Sequence, residues 1–289
     1  MFKRLCVIGV GLIGGSIAKA ARVHDLAQTI VGFGRLDDVE NLQIAQNLNV
    51  IDEFYVDIER AVLNADCVII ATPVAATENV FKLLQPFWSA QTVYFDVGST
   101  KGNVIAAAQT VFGFVPNNFI PAHPIAGAEN SGVGAALVDL FLNKRLIITP
   151  VENTNLEVVQ KTQHFWEEIG AVVSIMDVQQ HDSVLAATSH LPHLLAFALV
   201  DMLGQRDEQE AIFNYAAGGF RDFTRIASSD PTMWAAICAA NKTELLPLLE
   251  QFKTELTKIQ HLIETDDNEK LFELFVYANT ARERFIKNN

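Results

Sequence analysis

The sequence predicts an α/β fold, with an N-terminal doubly wound parallel sheet and a C-terminal domain built only of helices. Three observations predict it. Short apolar runs, most of them rich in Val and Ile, punctuate residues 1–176, with helical stretches between several of them. A glycine-rich turn follows the first run directly. Strand candidates end near Asp177, and long helical periods with few breaks take over.

The runs lie at residues 5–8, 30–33, 67–71, 93–95, 146–148 and 172–175. Apolar runs that are continuous rather than alternating suit strands buried on both faces, as in a parallel sheet covered by helices. In the second part, Leu245, Leu249, Phe252, Leu256, Ile259 and Ile263 step by four and three residues, which makes one helix stripe. Leu271, Leu274, Phe275 and Ala278 continue the style in a last helix. Such a stripe serves either as core within the chain or as a subunit interface. The expected division is a dinucleotide-binding domain over residues 1–176 and a helical domain over 177–289.

Bulk composition narrows the partners. The 289 residues are 50% hydrophobic, enough for a sizeable core. Twenty-one Lys and Arg against 34 Asp and Glu give a net charge of −13. A field of that sign repels nucleic acid and anionic membranes, so neither is expected as a partner. An anionic substrate would need local positive charge. Cys6, Cys67 and Cys238 are far apart, show no metal-ligand spacing, and read as small apolar residues in a reducing cytoplasm. The N-terminus enters a strand pattern at once, so no signal peptide is expected. No apolar run reaches the ~18 residues of a membrane-spanning helix.

The turn after the first strand reads Gly9-Val10-Gly11-Leu12-Ile13-Gly14 and opens a helix. This is the dinucleotide fingerprint of a Rossmann-type sheet. Gly9 permits the tight turn, Gly11 lets a pyrophosphate approach the backbone, and Gly14 allows close helix packing. Free N–H groups at the helix start, from Leu12 and Ile13 onward, then face the phosphates. An acidic residue about 20 positions on normally binds the adenosine ribose. Here that place holds Gly34, followed by Arg35. The missing acid removes repulsion of a 2′-phosphate, and Arg35 offers it a partner. The cofactor is therefore expected to be NAD(P), with NADP accepted. A preference for NADP stays open, because Asp37 or Asp38 can bend back to a ribose. Thr72 and Pro73, at the end of another strand, are placed beside the nicotinamide half.

Four segments carry candidate chemistry. Ser99 and Thr100 follow a strand in Asp96-Val97-Gly98-Ser99-Thr100-Lys101 and read as a helix N-cap, a ligand contact, or both. His123, ahead of Pro124, sits in an extended or turn segment. An alcohol dehydrogenase needs a group of near-neutral pKa to take the hydroxyl proton, and imidazole fits. His181-Asp182 precede Ser189-His190-Leu191-Pro192-His193, where His190 and His193 share one helix face. No Cys or carboxylate stands at ligand spacing in that run, so a metal is not expected. Finally, Arg221 and Arg225 are the main positive element of the helical part and candidates for a carboxylate, Arg225 more than Arg221.

Together these motifs, in this order along essentially the whole chain, resemble one family: the prephenate dehydrogenases, including arogenate and cyclohexadienyl dehydrogenases. The resemblance implies oxidative decarboxylation of a cyclohexadienol in tyrosine biosynthesis, and a homodimer made through the helical domain. It implies that His123 is the catalytic histidine and that Ser99 helps hold the reacting hydroxyl and the nicotinamide. It further implies that Arg225 binds the ring carboxylate, His193 the side chain, Glu129 the pocket entrance, and that Asp182 orients the network. Two other readings stand beside it. One is a β-hydroxyacid dehydrogenase or imine reductase, which would use a lysine or other donor on the helical domain. The other is a non-catalytic NAD(P)-sensing regulator.

Overall fold

In the computed structural model, which describes residues 1–127 and 130–287, six parallel strands build the principal sheet. They are β1 (Phe2–Ile8), β2 (Ala27–Phe33), β3 (Glu53–Tyr55), β4 (Cys67–Ile70), β5 (Val93–Asp96) and β6 (Phe119–Ile120). Their order is β3-β2-β1-β4-β5-β6, all pairs parallel. The order reverses between β1 and β4, the crevice where doubly wound sheets bind ligands. Alternate residues of each strand feed opposite faces. Leu5, Val7, Cys67, Ile69 and Phe95 join one core cluster. Cys6, Ile8, Val68, Ile70 and Tyr94 join the other. Both faces are covered, which is why the runs are apolar without alternation.

The runs at 146–148 and 172–175, read from sequence with the parallel sheet, instead build a second one. Here β7 (Ala122–Pro124) pairs antiparallel with β8 (Arg145–Ile148), which pairs parallel with β9 (Val172–Ile175). Pro121 separates β6 from β7. With no N–H to donate, it ends the first sheet's ladder, while its carbonyl accepts from Thr149 N at 2.9 Å and starts the second. β3, β6 and β7 span two or three residues each, too few to register as a period.

After β9 every described element is helical. The helix Val178–Leu185, the π-turn Ala186–His190 and the helix Leu191–Gly204 follow without interruption. Together they form a 27-residue helical stretch that is long and apolar enough to cross a membrane, which no contiguous run in the sequence had suggested. Its first half nevertheless carries His181, Asp182 and His190 buried and hydrogen-bonded to the rest of the fold, unsuited to lipid. The helix Pro231–Ala240 sets Trp234 and Ile237 against Val74, at the carboxyl end of the sheet.

By packing, the chain forms two compact units, Met1–Lys242 and Thr243–Asn289. The second comprises most of the helix Lys242–Glu264 and the helix Asn268–Lys287. Of its apolar stripe, Leu245 is buried, whereas Leu256 and Ile263 are 50% and 60% exposed. Phe272, Phe275 and Tyr277 on the last helix are exposed too.

Candidate active site

The fingerprint turn is shaped by what glycine lacks. Gly9 has φ +91°, and a Cβ there would stand 2.7 Å from the Ala71 carbonyl oxygen. A Cβ on Gly14 would reach 2.1 Å from the Gly9 carbonyl, so the helix Leu12–Val23 closes on the turn only with glycine. Gly11 faces open space: nothing lies within 4 Å of where its Cβ would be. No side chain caps this helix, so its first N–H groups at Leu12, Ile13 and Gly14 stay available to an anion. Asn41 steadies the turn through a bond of 2.8 Å to the Val10 carbonyl. At the end of β4, next to Pro73, the Thr72 hydroxyl is buried and lacks a protein partner among the described residues. Open cradle, free N–H groups and orphaned hydroxyl all fit a dinucleotide.

Arg35, just past β2, is 75% exposed. Its guanidinium lies 3.0 Å from Asp37 and 3.5 Å from Asp38. Exposed pairs of this kind are worth roughly 0–1 kcal/mol, so they hold the side chain near the strand tip without fixing it there.

A chain of hydrogen bonds runs inward from the helical stretch. His181 Nδ1 lies 2.8 Å from Asp182 Oδ1. His181 Nε2 lies 2.9 Å from His123 Nδ1. A carboxylate only accepts, so His181 donates from Nδ1, and a His181 ring that carries this one proton presents a lone pair at Nε2. His123 must then donate from Nδ1, which leaves its own Nε2 as a lone pair, the state of a base. Burial, and then the neighbouring His181, Lys101 and His190, hold the His123 pKa well below its ordinary value, so the ring stays neutral. Burial works against the Asp182 carboxylate. Hydrogen bonds from His181 and from the Lys101 and Gly102 N–H groups outweigh it and lower its pKa.

Those backbone bonds, 2.9 and 2.7 Å long, make Asp182 the cap of the helix Gly102–Phe112. The sequence had offered Ser99 or Thr100 for that task. Neither performs it, because a carboxylate 80 residues away is the stronger acceptor for a positive helix end. Thr100 donates to Asn103 instead, at 2.7 Å. Ser99 is half-buried on the loop that follows β5.

Beside this chain Lys101, fully buried, meets Asp96 at 2.5 Å and the Ala122 carbonyl at 2.6 Å. Asp96 also accepts from Ala122 N at 3.1 Å. The pair thus pins the residue before His123 from both its backbone groups. Burial lowers the Lys101 pKa and Asp96 opposes that.

On the next turns, His193 Nδ1 donates to the Ser189 carbonyl at 2.9 Å, and the ring stacks on Trp234 with centroids 3.7 Å apart. Pro192, which cannot supply an α-helical N–H, sits just beyond the π-turn, whose wider ring of backbone atoms absorbs the defect. Burial lowers the His193 pKa; its bond to Ser189 opposes that, while Arg225 adds to it. Arg225, on the short 3-10 turn Arg225–Ser228, is therefore within electrostatic reach of His193. Glu129 lies outside the described residues.

Comparison with known proteins agrees with this architecture. The family model for the prephenate dehydrogenase nucleotide-binding domain matches residues 17–175, and that for its dimerization domain matches 177–277. The chain belongs to the prephenate dehydrogenase family. It is 36% identical to a cyclohexadienyl dehydrogenase of Zymomonas mobilis, over 98% of this chain and 96% of that one. It is 36% identical to a prephenate dehydrogenase of Bacillus subtilis, over 96% of this chain and 75% of that one. Its fold matches the crystal structure of the A. aeolicus prephenate dehydrogenase in complex with hydroxyphenyl propionate and NAD+. The TM-score is 0.91 at 33% identity, over 99% of both chains.

Sequence reasoning missed three participants. His181 was seen only as the neighbour of Asp182. Lys101 was quoted within a motif and given no task. Asn241, which bonds to both Asp182 and His190, was not noticed. No local pattern marks it, since its partners lie 59 and 51 residues away.

Proposed function

We propose that the chain oxidatively decarboxylates prephenate, with hydride transfer to NAD(P), as a step of tyrosine biosynthesis, and that it accepts arogenate as well. The observation that carries the reading is the Asp182–His181–His123 chain, which ends on a neutral imidazole with a lone pair at Nε2. It occurs in a nicotinamide-dependent dehydrogenase fold, with His190 near His123 and Arg225 within electrostatic reach of His193. Family membership favours this chemistry over the β-hydroxyacid dehydrogenase and sensor readings.

A nicotinamide, when bound, would supply the hydride acceptor. His123 Nε2 takes the proton of the ring hydroxyl as the carbinol hydrogen leaves with its electron pair. The positive charge that develops on His123 spreads through His181 to Asp182, whose carboxylate stays ionised. Loss of carbon dioxide returns the electrons of the broken C–C bond to the ring and aromatises it. Ser99 helps hold the hydroxyl, Arg225 pairs with the ring carboxylate, and Glu129 guards the entrance. His193 faces the substrate side chain. Its Nδ1–H is committed to Ser189, so the neutral ring offers a lone pair at Nε2, which suits the ammonium of arogenate. A protonated ring would suit the keto acid, and burial of His193 works against that form.

Gly9, Gly11, Leu12, Ile13 and Gly14 would hold the pyrophosphate, and Thr72 and Pro73 would border the nicotinamide. Arg35 can leave its exposed carboxylate partners for a 2′-phosphate, which supports use of NADP. The exposed apolar side chains of Lys242–Glu264 and Asn268–Lys287, and the match to a dimerization domain, support a homodimer through the helical part. The change from strands to helices near residue 176, where the two family models meet, supports that position as the functional domain boundary. A cytoplasmic location follows from this metabolic role.

The test is the rate of reduced-cofactor formation from prephenate and from arogenate, each with NAD and NADP. Turnover of at least one substrate is expected. No turnover in any of the four combinations by folded, cofactor-binding protein would refute the proposal.

A further inference from the structure

The helical stretch brings a second buried imidazole to the site, and its protonation is decided by a residue with no part in the reaction described so far. His190 is 1% exposed and lies in the π-turn Ala186–His190. Its Nδ1 is 3.1 Å from Asn241 Nδ2. The same Nδ2 is 2.8 Å from the backbone carbonyl of Asp182. A carbonyl oxygen only accepts, so the atom facing it must be the amide nitrogen, and the orientation of the Asn241 amide is fixed. An NH2 group only donates, so His190 Nδ1 must be a lone pair. Its proton is then on Nε2, where no acceptor is found among the described residues.

We infer that Asn241 is a positioning residue that locks His190 as the Nε2–H tautomer. The site then meets its ligands with one imidazole that accepts, His123, and one that donates, His190. The ligand of His190 is an acceptor oxygen, on either the substrate or the nicotinamide carboxamide. This last assignment rests on the proposed function; the tautomer does not. Asn241 itself is 2% exposed and stands at the end of the helix Pro231–Ala240. One amide therefore ties that helix to both Asp182 and His190, so the accepting and donating rings are set from a single point.

The groups facing His190 are Asp182, His181, His193 and His123, with the Trp234 ring edge-on at 6.1 Å. Burial, opposed by Asp182 and assisted by His181 and His193, takes the His190 pKa to about 4. The ring is thus neutral at working pH, and a neutral ring has the single proton that Asn241 places.

Long-range 1H–15N imidazole spectra of the 15N-histidine-labelled protein read the tautomer directly, with His190→Gln identifying the signal. A ring protonated at Nε2 is expected. A ring protonated at Nδ1, or charged at neutral pH, would overturn the inference without any activity measurement. In Asn241→Asp the shape is kept, but a carboxylate must accept from Nδ1, so Nε2 loses its proton or the ring gains charge. We expect kcat/KM to fall about 10- to 100-fold, as for a lost hydrogen bond to a buried polar group, and a new ionisation to enter its pH profile. A rise in KM for the cofactor assigns the acceptor to the carboxamide; a rise for prephenate or arogenate assigns it to the substrate. A uniform loss with the parent's pH profile would mean that Asn241 is only structural, and would sink the positioning role.

Discussion

Replacing Asp182 by Asn asks whether the hydrogen-bond chain sets the base. The carboxylate accepts three bonds, from His181 Nδ1 at 2.8 Å, Lys101 N at 2.9 Å and Gly102 N at 2.7 Å. An amide offers one oxygen. If that oxygen keeps His181 and Lys101, its NH2 meets the Gly102 N–H, donor against donor. One charge-assisted bond is lost, roughly 1.5–3 kcal/mol. If the amide turns round, its NH2 donates to His181 Nδ1. His181 must then carry its proton on Nε2 and donate to His123, which is left with Nε2–H and no lone pair for the hydroxyl. Either way the negative charge that stabilises the protonated relay is gone. We expect kcat to fall by about 10²–10⁴-fold, the usual worth of a general base, with KM for the cofactor little changed. Steady-state turnover across pH, paired with a denaturant melt, separates the two effects. A variant that loses the expected stability yet keeps kcat within about threefold would show that Asp182 is a helix cap and nothing more.

Four further outcomes are expected. His123→Asn should lower kcat by ~10²–10⁴-fold with KM nearly constant; unchanged turnover would remove His123 from the mechanism. Arg225→Ala should act mainly on KM for the substrate, because its ion pair exists before the transition state; an effect confined to kcat would contradict that. Arg35→Ala should raise KM for NADP and leave KM for NAD nearly unchanged; equal changes would free Arg35 of any part in cofactor choice. Stability should depend on pH through His190 and His123. Both have folded-state pKa values below the ordinary 6.5, so the unfolded chain binds more protons. Their contribution is complete above pH ~6.5 and, for His190, is lost as pH falls toward about 4. For His190 alone the loss is on the order of 3 kcal/mol. Urea midpoints that do not fall between those pH values would refute the burial of neutral rings.

What could be read in advance was whatever depends on neighbours in sequence. The fingerprint from Gly9 to Gly14 is a local shape, and its demands on Cβ space are those the folded turn makes. The apolar runs gave the principal sheet because burial on both faces leaves a mark on every residue. His123 was marked by its chemistry beside Pro124. The relay was not legible, since His123 and His181 are 58 residues apart and Lys101 and Asp182 are 81 apart. No periodicity foretells which carboxylate will cap which helix. The second sheet was hidden for the opposite reason: β7 is three residues long, and its partner runs look like any other strand.

The π-turn at Ala186–His190 makes length, rather than composition, the sensitive property of this segment. Each residue of a helix turns its face by about 100°. Losing one residue with the wide turn closed to an α-turn would leave the helix after it nearly unrotated, whereas losing one with the wide turn kept would swing everything after it by that angle. The imidazole of His193 would leave the Trp234 ring, and Leu194 and Phe197 would rotate with it. The two faces of this helix are geared to one another through a single surplus residue. A one-residue loss inside the turn is therefore the change this helix can absorb, and a loss outside it is the one that would turn His193 away from its place.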